Sequence, residues 1–161
     1  MPIVLLSSAL MLAATALPAA DVVALDTAIA GVYRPYAKAV NETASWDYPI
    51  YSREAATLIA HWQRAALDDE PDALNDGDWL CMCQDFDAKA FRVIPRSHMP
   101  LGGDAAEVAI RIELGWNQFR DARMQFRREA GNWRLDDLYG ADFPRGLKQK
   151  LRETIAEDEA R

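Results

Sequence analysis

Apolar residues recur at spacings of three and four in two segments of the first half of the chain, the pattern of amphipathic helices. In the first segment they are Leu25, Ile29, Val32, Tyr36 and Val40. Pro35 is expected to kink this helix or to end it nearby. The second helix is predicted to start at Ser52, a good N-cap, with Glu54 in its first turn. Its apolar positions are Ala55, Leu58, Ile59, Trp62 and Ala66. Residues 41–48 and the acidic residues 68–78 are predicted to be loops.

After residue 79 the apolar period changes to two, which is typical of strands with one buried face. The clearest strand has apolar residues at Val108, Ile110, Ile112, Leu114 and Trp116. A second has them at Ala122, Met124 and Phe126, and residues 133–139 return as a third strand after a turn at 129–132. A shorter strand is predicted from Phe91 to Ile94, stopping at Pro95, and His98 falls in the loop that follows. Leu147, Leu151 and Ile155 predict a short C-terminal helix.

Helices that come first and antiparallel strands that follow predict an α+β fold rather than alternating βαβ units. We expect the N-terminal helices to pack on one face of a bent antiparallel sheet, closed by the short C-terminal helix, while the other face of the sheet meets water. Cross-strand ion pairs among Arg111, Arg123, Arg127, Glu107 and Glu113 would explain the charges of that wet face, and a partner-binding surface is the sharper alternative.

The first 20 residues carry no charged side chain, and residues 3–17 form a nearly unbroken apolar run. This run ends in Pro18, Ala19 and Ala20 ahead of Asp21, which predicts a signal peptide cleaved near Ala20 and a single domain over residues 21–161. The export prediction places the protein in the periplasm or outside the cell. An uncleaved anchor and a buried N-terminal helix are the alternatives, although a membrane span needs about 20 apolar residues.

The 161 residues contain 25 acidic and 18 basic side chains, for a net charge of -7. A non-specific nucleic-acid binder needs a basic surface, so nucleic acid is excluded as a partner. The same acidity disfavours docking on an anionic membrane, and no stable membrane insertion is expected after cleavage. The sequence contains no motif for a cofactor.

The order of elements, together with a closing strand that begins Gly131-Asn132-Trp133-Arg134, resembles the nuclear transport factor 2-like superfamily. Within it, the chain is similar to a group of bacterial exported proteins. The similarity lies in residues 33–36 (Tyr-Arg-Pro-Tyr), residues 75–78 (Asn-Asp-Gly-Asp) and the pair Gln84-Asp85. The resemblance covers about residues 22–155. It implies a bent sheet around the helices that leaves a conical cavity, and it implies no particular activity.

Cys81 and Cys83 flank Met82, and three interpretations of the pair stay open: a short disulfide, free buried thiols, or a redox or Cu(I) site. On a strand the two residues would be about 6.6 Å apart, at the edge of what a disulfide tolerates. A bridge therefore needs a turn at this point, or else it would be strained and easily reduced. No metal site is predicted, because the acidic loop fails the EF-hand spacing: Leu74 and Cys83 would occupy two ligand positions.

Several residues are candidates for lining a cavity: Tyr33, Tyr36, Trp62, Asp85, Trp116 and Asp137. The aromatic residues alternatively fill the core. Of Asp136 and Asp137, neighbours on a strand, one is expected to face the packed side, where a raised pKa suits a general base; the alternative is a hydrogen bond to a backbone turn. His61 and His98 show no triad pattern around them.

The interpretation that we favour is a non-catalytic exported domain that binds a small apolar ligand in its cone or a protein partner on its sheet face. The alternative is a small cavity enzyme, a hydrolase, isomerase or dehydratase, that uses a buried carboxylate. The oligomeric state is left open.

Overall fold

A computed structural model of the chain describes residues 16–38, 43–65 and 74–160. The fold is α+β, as predicted, with helices before and after an antiparallel sheet. Its helices are α1 Ala19–Tyr33, α2 Arg53–Ala65 and α3 Leu147–Glu159, and short 3-10 turns cover Arg34–Ala37 and Ser45–Asp47. Its strands, which follow the order β1-β2-β3-β4 across the sheet, are β1 Arg92–Gly102, β2 Ala105–Gly115, β3 Gln118–Glu129 and β4 Asn132–Tyr139.

The inner face of the sheet carries the alternating apolar residues that the sequence singles out. Val108 pairs with Met124, and Ile110 pairs with Ala122, so each pair points to the same side of the sheet. All four side chains are buried, and they join one core with Leu25 and other residues of α1. The period-two predictions for these positions of β2 and β3 are therefore confirmed.

The strand predicted over residues 91–94 is too short. β1 runs through Pro95 and Pro100 to Gly102, with an irregularity in its register between Pro95 and Ser97. Because β1 is an edge strand, a proline there loses no hydrogen bond to a second neighbour. His98, predicted in a loop, consequently lies within β1, and its Nε2 is 2.7 Å from Oδ1 of Asp26 on α1.

Trp116 was predicted on the buried face of its strand, and that prediction is wrong. Gly115, Trp116 and Asn117 all have positive φ, so the chain turns before the alternation reaches Trp116. The side chain lies in the β2–β3 turn with 60% of its surface exposed. The hairpin β3–β4 turns within the predicted residues 129–132, and there Ala130 and Gly131 both have positive φ.

The helical predictions hold where the structure describes them. Helix α1 ends at Tyr33 and continues as a 3-10 turn around Pro35, while Val40 lies outside the described residues. The Oγ of Ser52 accepts a hydrogen bond from the backbone N–H of Ala55 (3.1 Å), which makes it the cap of α2. Ala66 and the acidic residues 68–73 lie outside the described residues, and the predicted loop 41–48 contains the short turn Ser45–Asp47.

The predicted signal peptide lies largely in residues 1–15, which are outside the described residues, so it stays a prediction. Its expected cleavage position at Ala19 or Ala20 coincides with the beginning of α1. Among the described helices, none is long and apolar enough to cross a bilayer.

Candidate functional site

Aromatic rings occupy the inner side of the sheet where the sequence predicted a cavity. Tyr36 stacks on Phe91 with ring centroids 4.8 Å apart, and Tyr33 and Phe86 pack around them. The Tyr33 hydroxyl donates to the Leu80 carbonyl (2.9 Å). Burial raises the pKa of the Tyr33 and Tyr36 hydroxyls, and the nearby Asp78 carboxylate raises both further, so both remain donors. Tyr33 and Tyr36 are thus part of the packed core.

A second ring cluster holds Trp62, another predicted cavity residue. Its ring centroid lies 5.4 Å from that of Trp46 and 5.2 Å from that of Trp79. Trp62 is buried, and it connects α2 to the loop that carries the cysteines. The Trp62 ring is therefore part of the core, because only 3% of its surface is exposed.

Cys81 and Cys83 are joined by a disulfide across a turn, with their Cα atoms 5.2 Å apart. Met82 between them has a positive φ, which supplies the turn that such a short bridge needs. Oδ1 of Asp78 organises the same turn, because it accepts from the backbone N–H of Leu80 (2.9 Å) and of Cys81 (3.1 Å) and from the Tyr36 hydroxyl. Nowhere in the described part of the chain do three potential metal ligands cluster.

Asp136 and Asp137 are both buried, contrary to the expectation that neighbours on a strand face opposite sides. The register between β3 and β4 shifts there: Phe126 pairs with Leu135 and Gln125 with Asp137, which leaves Asp136 as an extra residue on β4. A bulge of this kind breaks the alternation, so Asp136 reaches Ser52 before α2 and Lys148 of α3, while Asp137 reaches the first turn of α3.

Each of these carboxylates is held by structural hydrogen bonds. Asp136 accepts from the Ser52 hydroxyl (2.6 Å) and from Lys148 Nζ (2.8 Å). Burial alone would raise the pKa of Asp136, but the hydrogen bonds from Lys148 and Ser52 outweigh burial and hold it below the usual value. Asp137 accepts from the backbone N–H of Leu138 (2.9 Å) and of Lys148 (3.0 Å), so it caps the first turn of α3. This is the backbone-capping alternative that the sequence left open.

Asp85 lies in an exposed loop before β1, where its Oδ1 accepts the backbone N–H of Phe86 (2.8 Å). The structure brings Asp85 into no hydrogen bond with Asp137, a tyrosine or a histidine among the described residues. His61 lies on α2 with its Nε2 2.9 Å from Oε1 of Glu159 on α3, an exposed pair. Asp85 and His61 therefore each contact a partner of their own: the backbone of Phe86 and the Glu159 carboxylate, respectively.

The opposite side of the sheet, which we call the outer face, carries a different set of side chains. Residues that pair across antiparallel strands share a face, so the register assigns its members. They include Met99 of β1, Glu107, Ala109, Arg111 and Glu113 of β2, Phe119, Asp121, Arg123 and Gln125 of β3, and Tyr139 of β4.

Cations and rings are paired on the outer face. The Arg111 guanidinium lies 4.1 Å above the Phe119 ring and donates to both carboxylate oxygens of Asp121 (2.9 Å each). Their shared hydrogen bond raises the pKa of Arg111 and lowers that of Asp121. Arg123 lies 4.8 Å above the Tyr139 ring, with its Nη1 3.3 Å from Oε2 of Glu107. The sequence prediction of cross-strand ion pairs holds for Arg123 and Glu107.

A shallow depression of about 400 Å³ opens on this face, lined by Arg96, Asp121, Arg123, Tyr139 and Pro144 among others. Exposed apolar side chains accompany it: Met99 is 49% exposed and Phe119 is 50% exposed. Leu101 and Trp116 are exposed at the two ends of the same strands, whereas Val23 on α1 is the one large exposed apolar side chain of the described residues away from the sheet. Arginine, aromatic and methionine side chains are enriched at protein interfaces.

A groove of about 670 Å³ lies on the other side, between α1 and the start of β4. Its apolar lining includes Ala28, Val32 and Leu135. Its charged lining, among the residues that the structure describes, consists of Arg34 and Arg134 without a carboxylate. Sequence reasoning did not single out either arginine as a site residue.

Sequence reasoning also missed the apolar members of the outer face. A weak signal was present, since Phe119 and Tyr139 stand at positions in phase with charged residues rather than with the buried ones. Large apolar side chains on the polar phase of a strand are the pattern that marks such a surface.

No family model matches this sequence, and no curated protein matches it. Among solved structures, the chain is similar to one chain of the crystal structure of the type VI native effector-immunity complex Tae3-Tai3 from Ralstonia pickettii. The TM-score is 0.52 at 16% sequence identity, and the similarity covers 73% of this chain and 94% of that one. At this identity the likeness shows a shared fold.

Proposed function

We propose that this protein is an exported, non-catalytic domain that binds a protein partner through the outer face of its sheet. The observation that supports it is the distribution of side chains. Of the rings predicted to line a cavity, Tyr33, Tyr36 and Trp62 pack inside. Met99, Phe119, Arg123 and Tyr139 are presented on the outer face. The four strands are 11, 11, 12 and 8 residues long. At about 3.3 Å per residue and about 4.8 Å between strands, the face measures roughly 35 by 15 Å at its longest, about two thirds of the roughly 800 Å² that each partner buries in a standard interface.

The structural likeness indicates which class of partner should be tested first. The similar chain is part of an effector-immunity complex of two proteins. By analogy, the partner of this domain is a second folded protein, and an effector-immunity pair is the first kind of complex to test. The resemblance to the nuclear transport factor 2-like superfamily stays part of the proposal, supported by leading helices that pack on an antiparallel sheet.

The alternative of a cavity enzyme has less support from the geometry. It needs an ionisable pair within hydrogen-bond reach inside a pocket. Asp137, its best candidate, uses its Oδ1 to accept from two backbone N–H groups, and Asp85 lies in an exposed loop. Asp137 also shares a side-chain hydrogen bond with Tyr139, which lines the outer-face depression, but Asp137 itself is not part of that lining.

The test is affinity purification of the tagged protein from the periplasm, in wild type and two charge-reversal variants. Arg96→Glu changes an exposed residue of the outer-face depression, and Arg64→Glu makes the same change at an exposed position in the last turn of α2. We expect a stoichiometric partner that is retained by Arg64→Glu and lost by Arg96→Glu. A partner lost equally by both variants, or by neither, would place binding elsewhere.

The groove between α1 and β4 supports a second candidate function, binding of a small apolar ligand with an anionic end. Its walls are apolar, and its two guanidiniums meet no carboxylate of the described lining. Titration calorimetry with decanoate and with decanol tests separately whether the apolar walls bind the alkyl chain and whether the guanidiniums bind the anionic end. We expect binding of decanoate, weaker binding of decanol, and loss of that difference in Arg34→Gln but not in Arg64→Gln. Equal binding of both compounds by the wild type would contradict the anionic site.

A further inference from the structure

The turn between β2 and β3 presents a tryptophan in an unfavourable backbone conformation. Trp116 has φ 51° and Asn117 has φ 60°, values in the left-handed region where bulky side chains are rare. Tight hairpin turns of this kind favour glycine, asparagine or aspartate. Trp116 gains little burial in exchange, because 60% of its surface is exposed. The folded monomer therefore offers no evident reason for this residue at this position.

The base of this hairpin is fixed to the loop that precedes β1. The backbone N–H of Asp87 donates to the Leu114 carbonyl (2.8 Å), and Arg120 Nε donates to the Met82 carbonyl (3.2 Å). Gly115 packs so closely on this loop that a Cβ atom there would lie 2.7 Å from Cβ of Asp87. These contacts hold the turn in one orientation, so the indole is presented on a rigid support.

We propose that Trp116, with Phe119 beside it, is the anchor that inserts into an apolar cleft of the protein partner. This inference rests on the proposed function and names the chemistry of the partner: a folded protein whose concave, apolar pocket holds a hydrogen-bond acceptor for the indole N–H. A convex tip requires a concave acceptor, and a buried indole N–H requires an acceptor.

The physical advantages of such an anchor are known in general. Tryptophan is among the residues that carry most of the binding energy at interfaces, in pockets from which water is expelled. A side chain already held in its bound position loses less freedom on binding, which strengthens the complex. Phe119, three residues after Trp116, is a further exposed ring on the outer face, where the Arg111 guanidinium lies over it.

A lipid surface is the other environment in which an exposed tryptophan at a tip is found. The net charge of -7 opposes approach to an anionic membrane, and the neighbouring tip residues Asn117 and Gln118 are polar rather than basic. The observations thus favour a protein cleft, and a membrane becomes an outcome of the test.

The test uses a photo-reactive benzoylphenylalanine in place of Phe119, in the full-length protein expressed in its native cell. Crosslinking yield is compared in three backgrounds: Trp116 intact, Trp116→Ala, and the matched control Val23→Ala, which truncates an exposed apolar residue on α1. We expect one crosslinked polypeptide, at least tenfold less of it with Trp116→Ala, and no change with Val23→Ala. Trp116→Phe is expected to restore part of the yield.

Two other outcomes decide against the anchor in different ways. An unchanged yield with Trp116→Ala overturns the anchor but leaves the sheet-face function standing, whereas no crosslink in any background overturns both. As a second measurement, the purified protein is sedimented with vesicles of phosphatidylcholine and phosphatidylglycerol. Vesicle binding that requires Trp116 would assign the tip to a membrane and overturn the protein cleft; no binding supports the proposal.

Discussion

The carboxylate of Asp136 joins three elements at one point. It lies on β4, accepts from the Ser52 hydroxyl that caps α2, and accepts from Lys148 Nζ on α3. Lys148 also lies 3.3 Å from Oε2 of Glu54, so the cation has a second, more exposed partner. A buried charge that is fully hydrogen-bonded in this way is costly to leave unpaired.

We predict that Asp136→Asn lowers the free energy of unfolding by about 2 kcal/mol at pH 7, since it leaves the Lys148 ammonium half-paired. The folded pKa of Asp136 is lowered, so its contribution is complete above the unfolded pKa of about 3.9 and is lost as pH falls through the folded value. Urea denaturation at pH 7, 5 and 3.5 is the measurement.

The difference between wild type and Asp136→Asn is therefore expected to be the same at pH 7 and 5 and smaller at pH 3.5. Asp85→Asn, at an exposed position, is the control and should match the wild type throughout. A difference that grows as the solution is acidified would contradict the assignment of the charge.

The disulfide closes a loop of only three residues, which limits how much it can stabilise the fold. The chain-entropy relation gives about 1–2 kcal/mol for a loop of this size. We predict that reduction lowers the free energy of unfolding by this amount and increases amide exchange at residues 79–82. The double variant Cys81→Ala/Cys83→Ala should not respond to reductant. A reduced protein as stable as the oxidised one would show that Asp78 alone holds the turn.

At the scale of elements, apolar spacing identified the described helices and strands β2 and β3, whereas β1 and β4 were predicted from flanking turns and prolines, and the end of β1 was misjudged. Strands β2 and β3 bury one face, so their apolar residues alternate with polar ones and both strands could be predicted from the sequence. The extension of β1 through two prolines depends on β1 being at the edge, and the bulge at Asp136 depends on the register against β3. The extension of β1 and the bulge on β4 both depend on which strand lies beside the segment and in what register, and the sequence of a single segment does not give that information.

Close packing at Gly115 gives a prediction at this scale. Gly115 has φ 91°, and a Cβ atom there would lie 2.7 Å from Cβ of Asp87, whereas Gly103 has φ 57° and open space around it. We predict that Gly103→Ala costs about 1 kcal/mol, from backbone conformation alone, and that Gly115→Ala costs at least about 2 kcal/mol. Thermal or urea denaturation of the two variants distinguishes them, and equal losses would show that the hairpin base is not tightly packed.

At the scale of the molecule, the two faces of the sheet differ: the inner face packs into the core, and the outer face is the surface that we propose for partner binding. The α+β architecture could be predicted because segregated helices and strands have few ways to bury their apolar faces. The candidate site could not, because Tyr33, Tyr36 and Trp62 look alike in sequence whether they line a cavity or fill a core. Only the packing of Phe91 and Trp79 against them decides between the two.

The direct test of partner binding through the outer face is hydroxyl-radical footprinting of the protein with and without its copurified partner. Phe119, Tyr139 and Met99 lie on the outer face, while Val23 on α1 is exposed and serves as the internal control. The account predicts that oxidation of the three outer-face residues falls severalfold in the complex while that of Val23 is unchanged. Protection of Val23 with undiminished oxidation of Phe119 and Tyr139 would contradict it.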